Sequence, residues 1–351
     1  MKKTALAILA LVALAGGAEW MVLASSRVEP GKLAGALVSL ALVLGLFIAL
    51  TEETFVGWLR AWAQRSALAA AALPLALRVP YAVFALGTGT WTWSGAGRLT
   101  AYILAPTLLL LPDRRRKADR VGWRDFAAMA ALAVPVMAGW LTGIWAWPRE
   151  LYFFRPIYSV ITGAYAFLAV RGLEDVGYKL VWRGGDAKHG LMNFVGFIIP
   201  GIPLGLTLGF IHPHAALFAP FPARVFGESF LVPGWVTLAG NFALIFAGIY
   251  LTIAVPEEFL FRGILQNFLV KSLSGRQAGL PGKMPGLYGL LVASLIFGAS
   301  HLHHAPVPNW RFAVLASLAG VFYGNAFRAR RRIPASALTH ALVDTAWHFW
   351  F

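Results

Sequence analysis

Residues 243–262 have the sequence ALIFAGIYLTIAVPEEFLFR, and no charged residue occurs between Glu228 and Glu257. A transmembrane helix needs about 20 mainly apolar residues, so this stretch predicts a membrane helix that runs into two adjacent carboxylates. A carboxylate in hydrocarbon costs at least about 2.5 kcal/mol and usually faces a cavity inside the protein. The stretch therefore predicts a helical membrane fold that places Glu257 and Glu258 inside it.

The composition of the whole chain agrees with this prediction. Charged residues make up 13% of the 351 residues and hydrophobic residues 59%. A soluble domain averages about 25% charged residues, so a single soluble core is excluded, and this much apolar sequence excludes disorder. No cysteine occurs, which excludes disulfide scaffolds, thiol nucleophiles and cysteine-ligated zinc. We predict an all-α, polytopic integral membrane bundle of about 11 transmembrane helices.

The predicted spans are mainly apolar stretches separated by short charged segments. The 99–111 span is short and can begin earlier, through the loop around Trp91 and Trp93. The net charge of +15 lies in clusters between spans, which is typical of cytoplasmic loops and argues against nucleic acid as a partner. The predicted spans are 5–26, 33–50, 67–87, 99–111, 126–147, 157–171, 191–211, 235–255 with a continuation to 270, 286–300, 311–327 and 334–351.

The distribution of basic residues predicts the orientation. With the N-terminus inside, the inner segments hold 21 lysines and arginines and the outer loops hold seven. Positive residues favour the cytoplasmic side, so we predict a cytoplasmic N-terminus and an outer C-terminus, in the plasma (inner) membrane if the protein is bacterial. Residues 1–26 resemble a signal peptide, but apolar residues continue beyond Glu19, which favours retention as a signal anchor.

The acidic residues indicate where chemistry is concentrated. Of 15 acidic residues, only Glu257, Glu258 and Asp344 lie in the last 123 residues. We predict an N-terminal transmembrane module of unknown role over residues 1–190. Residues 191–351 are predicted to form a catalytic bundle with an intramembrane cavity and with motifs inside 235–351.

Glycines spaced four residues apart occur in two of the C-terminal spans. One row is Gly201, Gly205 and Gly209, and the other is Gly320 and Gly324. Small residues at this spacing let membrane helices approach closely, so both rows predict helix packing.

Three pairs of residues with a spacing of four place functional side chains on single helix faces. Glu258 pairs with Arg262, Phe297 precedes His301, and His340 precedes Asp344. Taken singly, each pair has an ordinary structural interpretation: a charge pair at a helix start, an interfacial histidine, or a hydrogen bond within a helix. His303 and His304 are assigned to the loop that follows and not to a site.

Together, the three pairs predict one site. Glu257 is rotated by about 100° from Glu258, so one carboxylate can face a cavity while Arg262 neutralises the other. At 1.5 Å per residue from the inner ends, Glu258, His301, His340 and Asp344 lie about 20, 22, 10 and 16 Å deep. A carboxylate there, with desolvation and an arginine opposing each other, suits a general base. Water deprotonated by glutamate and positioned by histidine can attack a peptide carbonyl, with imidazole or a protonated acid stabilising the oxyanion.

The elements EExxxR, FxxxH and HxxxD, in this order on successive C-terminal spans, resemble the CAAX protease and bacteriocin-processing family of intramembrane endopeptidases. The eukaryotic member of that family is the Ras-converting prenyl-protein endopeptidase. The resemblance covers residues 235–351. It implies glutamic-type intramembrane proteolysis without a metal cofactor, acting on a membrane protein or peptide substrate in the lipid bilayer.

The resemblance also implies a role for each motif residue. Glu257 is the water-activating base, and Glu258 shapes or assists it together with Arg262. His301 helps to hold the water, while His340 and Asp344 contribute to the oxyanion site. The family often has asparagine where this chain has Asp344, so the role of that carboxylate is the one the resemblance specifies least.

Other interpretations of the same residues remain open. Glu257, His301 and His340 can ligate zinc in principle, although no HExxH motif is present. A proton-coupled transporter or channel also uses intramembrane glutamate, arginine and histidine, and a non-catalytic membrane scaffold would keep the same fold. The identity of the substrate and the oligomeric state are not specified by the sequence.

Overall fold

A computed structural model describes residues 2–25, 29–214, 221–225, 228–232, 234–274 and 283–351. The regular secondary structure of the described residues is helical apart from one antiparallel hairpin, formed by β1 (Phe221–Val225) and β2 (Glu228–Val232). The described α-helices are α1 (Lys2–Leu23), α2 (Pro30–Ala49), α3 (Glu53–Arg65), α4 (Ala67–Ala72), α5 (Arg78–Thr88), α6 (Trp93–Leu110), α7 (Trp123–Met137), α8 (Phe154–Ala164), α9 (Gly184–Thr207), α10 (Gly234–Ile249), α11 (Val255–Glu258), α12 (Asn267–Ser274), α13 (Met284–Ala299), α14 (Trp310–Arg330) and α15 (Ile333–Trp350).

The helices confirm the predicted fold class, and the chain is an integral, multi-pass membrane protein. Within the described residues, seven helical stretches are long and apolar enough to cross a membrane, and two shorter apolar helices accompany them. Each of the predicted spans corresponds to a helix, and α6 begins at Trp93, as the Trp91–Trp93 loop suggested. The 126–147 span is helical only as far as Met137. Two of the counted bases, Arg27 and Arg276, lie outside the described residues.

Helix α3 was not predicted, because its composition does not resemble a membrane span. Its sequence ETFVGWLRAWAQR alternates apolar and charged residues around the helix, and only Val56, Leu59 and Ala63 are buried. Such a helix packs one face on the protein and leaves the other exposed. Arg60 donates from Nε and Nη2 to the carbonyl of Leu168, at 3.1 and 2.9 Å, which attaches α3 to the N-terminal bundle.

The stretch that carries the two glutamates is one continuous helical segment from Gly234 to Ser274. Two π-helical turns, Tyr250–Ala254 and Phe259–Gln266, flank α11. Pro256 lies in α11 and has no N–H to donate, so the helical hydrogen-bond pattern is already interrupted there. π-helical turns are often found at functional sites, and here they lie on both sides of the short α-helical turn that carries Glu257 and Glu258.

A buried ion pair joins the N-terminal helices next to the basic loop 114–124. Arg171 Nε donates to Asp125 Oδ1 at 2.8 Å, and both side chains are fully buried. Asp125 also accepts from the backbone N–H of Gly122 at 2.8 Å, at the start of α7. Arg171 donates to backbone carbonyls of the basic loop that precedes α7, including those of Arg116 and Lys117. The charge of that loop is therefore held against the helical bundle.

The C-terminal helices α9, α13, α14 and α15 pack on one another and on the π-helical segment. Their shared apolar core includes Phe197, Phe261, Phe297 and Tyr323. The predicted boundary between residues 190 and 191 falls inside α9, which packs with α14 and α15. The division into two modules stays a prediction.

Candidate active site

Glu258 is one of two fully enclosed residues among the predicted site residues. Its side chain is fully buried and its carboxylate is shared between two partners. Arg262 Nε donates to Oε2 at 3.1 Å, and His340 Nδ1 lies 3.0 Å from Oε1. The first contact is the i, i+4 pair predicted from the sequence, and the second joins α11 to α15.

Arg262 is also fully buried, and its guanidinium group fits into space left by two glycines of α14. A Cβ atom at Gly320 would lie 3.2 Å from Arg262 Nη2, and one at Gly324 would lie 3.5 Å from Nη1. The guanidinium carbon lies 5.2 Å from the ring centre of Phe297, a distance that favours a cation–π interaction. Neither Nη atom has a hydrogen-bond partner among the described residues. This glycine row therefore makes room for a charge as well as for a helix.

Glu257 points away from Glu258 and into a cavity. Its side chain is 35% exposed, and Oε2 lies 3.9 Å from His340 Nε2. That oxygen has no hydrogen-bond partner among the described residues. The divergence of the two adjacent carboxylates follows the rotation predicted for consecutive helix positions: one is enclosed by cations and the other faces open space.

His340 connects the buried carboxylate to the cavity. Its Nδ1 contacts Glu258, and its Nε2 lies 3.4 Å from Asp344 Oδ2, one turn along α15. The imidazole ring stacks on the ring of Tyr323 with centres 4.5 Å apart and planes inclined by 14°. Both nitrogens and one ring face are engaged, so the ring has a fixed orientation.

Tyr323 was missed by the sequence analysis. It is 2% exposed, it lines the cavity, and it lies next to the glycines that accommodate Arg262. An aromatic residue on an apolar span is normally core packing, so its identity carries no signal for a site. Only its stacking on His340, which depends on how α14 and α15 pack, identifies it.

His301 lies just beyond the end of α13, and one of its nitrogens is directed by the backbone. Nδ1 lies 2.8 Å from the carbonyl oxygen of Phe297 and therefore donates to it. In the neutral imidazole this leaves Nε2 as an acceptor, and the residue lines the same cavity as Glu257. The rings of Phe297 and Phe312 contact the imidazole at centre distances of 4.8 and 4.5 Å.

His304 corrects one prediction. It was assigned to the loop alone, but it lies on the cavity wall with its ring centre 5.6 Å from that of His301. Desolvation lowers the pKa of His304, and the neighbouring His303 lowers it further. The chain turns back after His301 and stacks the imidazole of His304 on that of His301. The position of His304 in the sequence does not reveal this contact.

The cavity has a volume of about 420 Å³ and a divided lining. Its ionisable groups gather in one region, and the rest of its wall is apolar and aromatic. Besides Glu257, His301, His304, Tyr323, His340 and Asp344, the lining residues are Phe197, Ile198, Gly201, Ile202, Phe210, Ile211, Ile253, Phe297, Phe312, Leu315, Ala316, Ala319, Val343, Ala346, Trp347 and Phe351. An apolar pocket with a few convergent polar groups is the usual form of a binding site.

The glycine row in α9 does not pack helices together. Gly201 lines the cavity, and a Cβ there would contact the ring of Phe197 in its own helix. Gly209 has a φ of +60° and follows the end of α9, where a left-handed residue is favourable.

The predicted meeting of these residues is seen for Glu258 and His340, whose side chains are in contact. The start of α15 is held in place by the protein, because Ile333 is fully buried and its N–H donates to the carbonyl of Gly177. The estimated depths in the membrane stay predictions.

Gly298 tests the packing that positions His301. A Cβ at this position would clash with the side chain of Ser317 and would lie 2.8 Å from its backbone nitrogen. We expect Gly298→Ala to lower the thermal stability in detergent and to reduce any activity that depends on His301, because backbone cannot move aside cheaply. Gly240→Ala is the matched control, since no described residue lies within 4 Å of a Cβ built there, and it is expected to be neutral or to stabilise by up to about 1 kcal/mol. Equal stability of the two variants would contradict this packing.

Comparison with known proteins agrees with the resemblance seen in the sequence. Residues 239–346, about a third of the chain, match the family model described as Rce1-like, type II CAAX prenyl endopeptidase. The match includes all of the predicted site residues and Tyr323. No curated protein and no solved structure matches the chain. Residues 239–346 of this membrane-embedded chain are thus similar to a family of proteases, the Rce1-like type II CAAX prenyl endopeptidases.

Proposed function

We propose that this protein is an intramembrane endopeptidase in which Glu257 activates the water that hydrolyses a peptide bond. The observation that carries the proposal is the contrast between two adjacent carboxylates. Glu258 is enclosed by Arg262 and His340, whereas Glu257 faces the cavity with an unpartnered oxygen. A purely structural charge pair would need only the enclosed carboxylate of Glu258. A general base needs a carboxylate with an oxygen that can accept a proton, as Glu257 has.

The first step uses Glu257 and His301, which line the same cavity. A water held by the free Nε2 of His301 transfers a proton to Glu257 as its oxygen bonds to the carbonyl carbon of the substrate. The resulting tetrahedral intermediate collapses when the C–N bond breaks. Glu257 then returns the proton to the leaving nitrogen, so the carboxylate is regenerated and one water has been consumed.

His340 and Asp344 are proposed to stabilise the oxyanion. A carboxylate oxygen can only accept a hydrogen bond unless it is protonated, so Nδ1 of His340 donates to Glu258. A hydrogen bond between Nε2 and Asp344, which are 3.4 Å apart, then requires one further proton, held by either group. That proton lies at the cavity wall and can be directed to the developing oxyanion, which is where such a donor acts.

The proposal assigns no metal to the reaction. The zinc alternative would use Glu257, His301 and His340, but both nitrogens of His340 already face carboxylates. A metal ligand needs a free nitrogen lone pair. Within the described residues, no three histidines or acids are grouped as a metal site.

The cavity wall supports an apolar, membrane-anchored substrate. Family members are described as prenyl endopeptidases, and the aromatic and aliphatic lining of the cavity suits a lipid chain or an apolar polypeptide segment. We propose a membrane-anchored or lipidated protein, or a protein with a C-terminal sorting signal, as the substrate. An isoprenyl group is not required by any contact in the site.

Glu257→Gln is expected to lower the cleavage rate by about 10²-fold to 10⁴-fold, because the amide cannot accept the proton from water. The measurement compares the protein termini of membrane fractions from cells that carry the wild type or the variant, and uncleaved precursors should accumulate with the variant. Glu29→Gln is the matched control, because Glu29 is exposed, pairs with Lys32 and does not line the cavity. A metal chelator should leave cleavage by the wild type unchanged. Normal processing by Glu257→Gln would refute the proposal.

Asp344 can be tested by two substitutions of similar size. Asn at this position keeps a hydrogen bond to His340 Nε2 in either direction, so Asp344→Asn should retain activity within about tenfold. Asp344→Leu removes the partner and should lower the rate constant by about 10²-fold. If Asp344→Asn is as inactive as Asp344→Leu, the negative charge of Asp344 is needed and the oxyanion role is wrong.

A further inference from the structure

The two ends of the C-terminal helical bundle differ in charge. Contacts between the helices show which terminus of each helix lies at which end. At the first end, Asp186 of α9 is fully buried and binds Arg330 and Arg332, which lie where α14 ends and α15 begins, at 3.3 and 2.8 Å. At the same end, Lys271 of α12 donates to the carbonyl of Ala118 in the basic loop. We call this the basic end.

At the opposite end of the bundle, the other termini of α9, α14 and α15 lie close together. The N–H of His214, beyond α9, donates to the carbonyl of Trp350 at the end of α15, at 3.0 Å. Arg311, at the start of α14, contacts the carbonyl of Gly209 at 3.5 Å. Asn309 N–H donates to the carbonyl of Leu302, which closes the loop between α13 and α14 at this end.

The cavity lies entirely toward this second end. Its lining residues in α14 run from Phe312 to Tyr323, and none belongs to the last seven residues of that helix. In α15 they begin at His340, after seven helical residues that do not line it. From His340 to Phe351 the wall extends for about 16 Å along the helix axis.

Between the site and the basic end, α9 packs directly against α14 and α15. Thr339 Oγ1 donates to the carbonyl of Gly190 at 3.0 Å, and Asn325 Nδ2 donates to Asn193 Oδ1 at 3.0 Å. A Cβ at Gly190 would lie 2.8 Å from Leu338 Cδ2, so α9 and α15 are in direct contact there. None of these residues lines the cavity.

The mouth of the cavity has the composition of a membrane interface. Phe210, Phe312 and Trp347 contact one another with ring centres 5.1 to 5.4 Å apart. Trp310 and Trp350 are partly exposed nearby. Tryptophan and tyrosine concentrate at the boundary between hydrocarbon and water, so Trp310, Trp347 and Trp350 indicate that this end of the cavity lies at a membrane surface.

Lysine and arginine favour the cytoplasmic side of a membrane protein, and the inner segments hold 21 of them against seven in the outer loops. We propose that the active-site cavity opens on the extracytoplasmic side. Its substrate is then a membrane-anchored polypeptide whose scissile bond approaches from the outer leaflet, as in an exported protein. This inference rests on the proposed function for the nature of the substrate, but the direction of the cavity does not depend on it.

Single cysteines test the direction, because the natural chain contains no cysteine and gives no background labelling. Val307→Cys marks the loop at the mouth, where Val307 is 72% exposed. Val343→Cys marks the cavity wall, and Ser274→Cys marks the basic end, where Ser274 lines a pocket with Lys283 and Arg328. Intact cells are treated with a membrane-impermeant maleimide before and after permeabilisation.

We expect labelling of Val307→Cys and Val343→Cys in intact cells, and labelling of Ser274→Cys only after permeabilisation. The reverse pattern for Val307→Cys and Ser274→Cys would overturn the orientation. Labelling of Val343→Cys only after permeabilisation, with Val307→Cys accessible from outside, would overturn the position of the mouth. If Val343→Cys does not fold, His304→Cys on the cavity wall replaces it. None of these results depends on cleavage, so failure of the proposed peptidase activity is detected separately with Glu257→Gln.

Discussion

The carboxylate of Glu258, shared between Arg262 and His340, is the interaction on which the arrangement of the site depends. A charge buried without a partner costs several kcal/mol, so this buried carboxylate is stable only where Arg262 and His340 both reach it. That condition fixes α11 against α15, and it requires space in α14 for the guanidinium group. Gly320 and Gly324 provide the space, and Phe297 provides an aromatic face for the same group.

The same interaction leaves Glu257 available for chemistry. Glu258 pairs with Arg262 through Nε, and the adjacent carboxylate of Glu257 lies outside that pair and lines the cavity. The short α-helical turn that carries both glutamates lies between two π-helical turns. The different surroundings of the two neighbouring glutamates thus result from helix geometry and from one fully buried ion pair.

Part of the cavity is built by residues outside the family match. The matched residues 239–346 carry the acids and imidazoles, whereas α9 supplies Phe197, Ile198 and Gly201 to the wall. Gly177, also outside the match, accepts the N–H of Ile333 and so positions the start of α15. Under the proposed function, α9 therefore contributes to substrate preference without supplying any of the proposed reacting groups.

Local features of the fold and the site could be predicted from the sequence, and features that depend on packing could not. Apolar length predicted the spans, and the spacing of four predicted the contacts of Glu258 with Arg262 and of His340 with Asp344, because both properties belong to one helix. The contact of Glu258 with His340, the stacking of Tyr323, and the place of His304 on the wall depend on how separate helices meet. Helix α3 was missed because its mixture of apolar and charged residues makes its mean hydropathy lower than that of a membrane span.

The most direct test of the central claim compares the thermal stability of Glu258→Gln and Glu257→Gln in detergent. If Glu258 neutralises a buried arginine, its amide variant leaves that charge uncompensated and should lose about 3–5 kcal/mol of stability. Glu257→Gln should retain the stability of the wild type, because Glu257 faces the cavity. Equal losses in the two variants, or no loss in Glu258→Gln, would contradict the account.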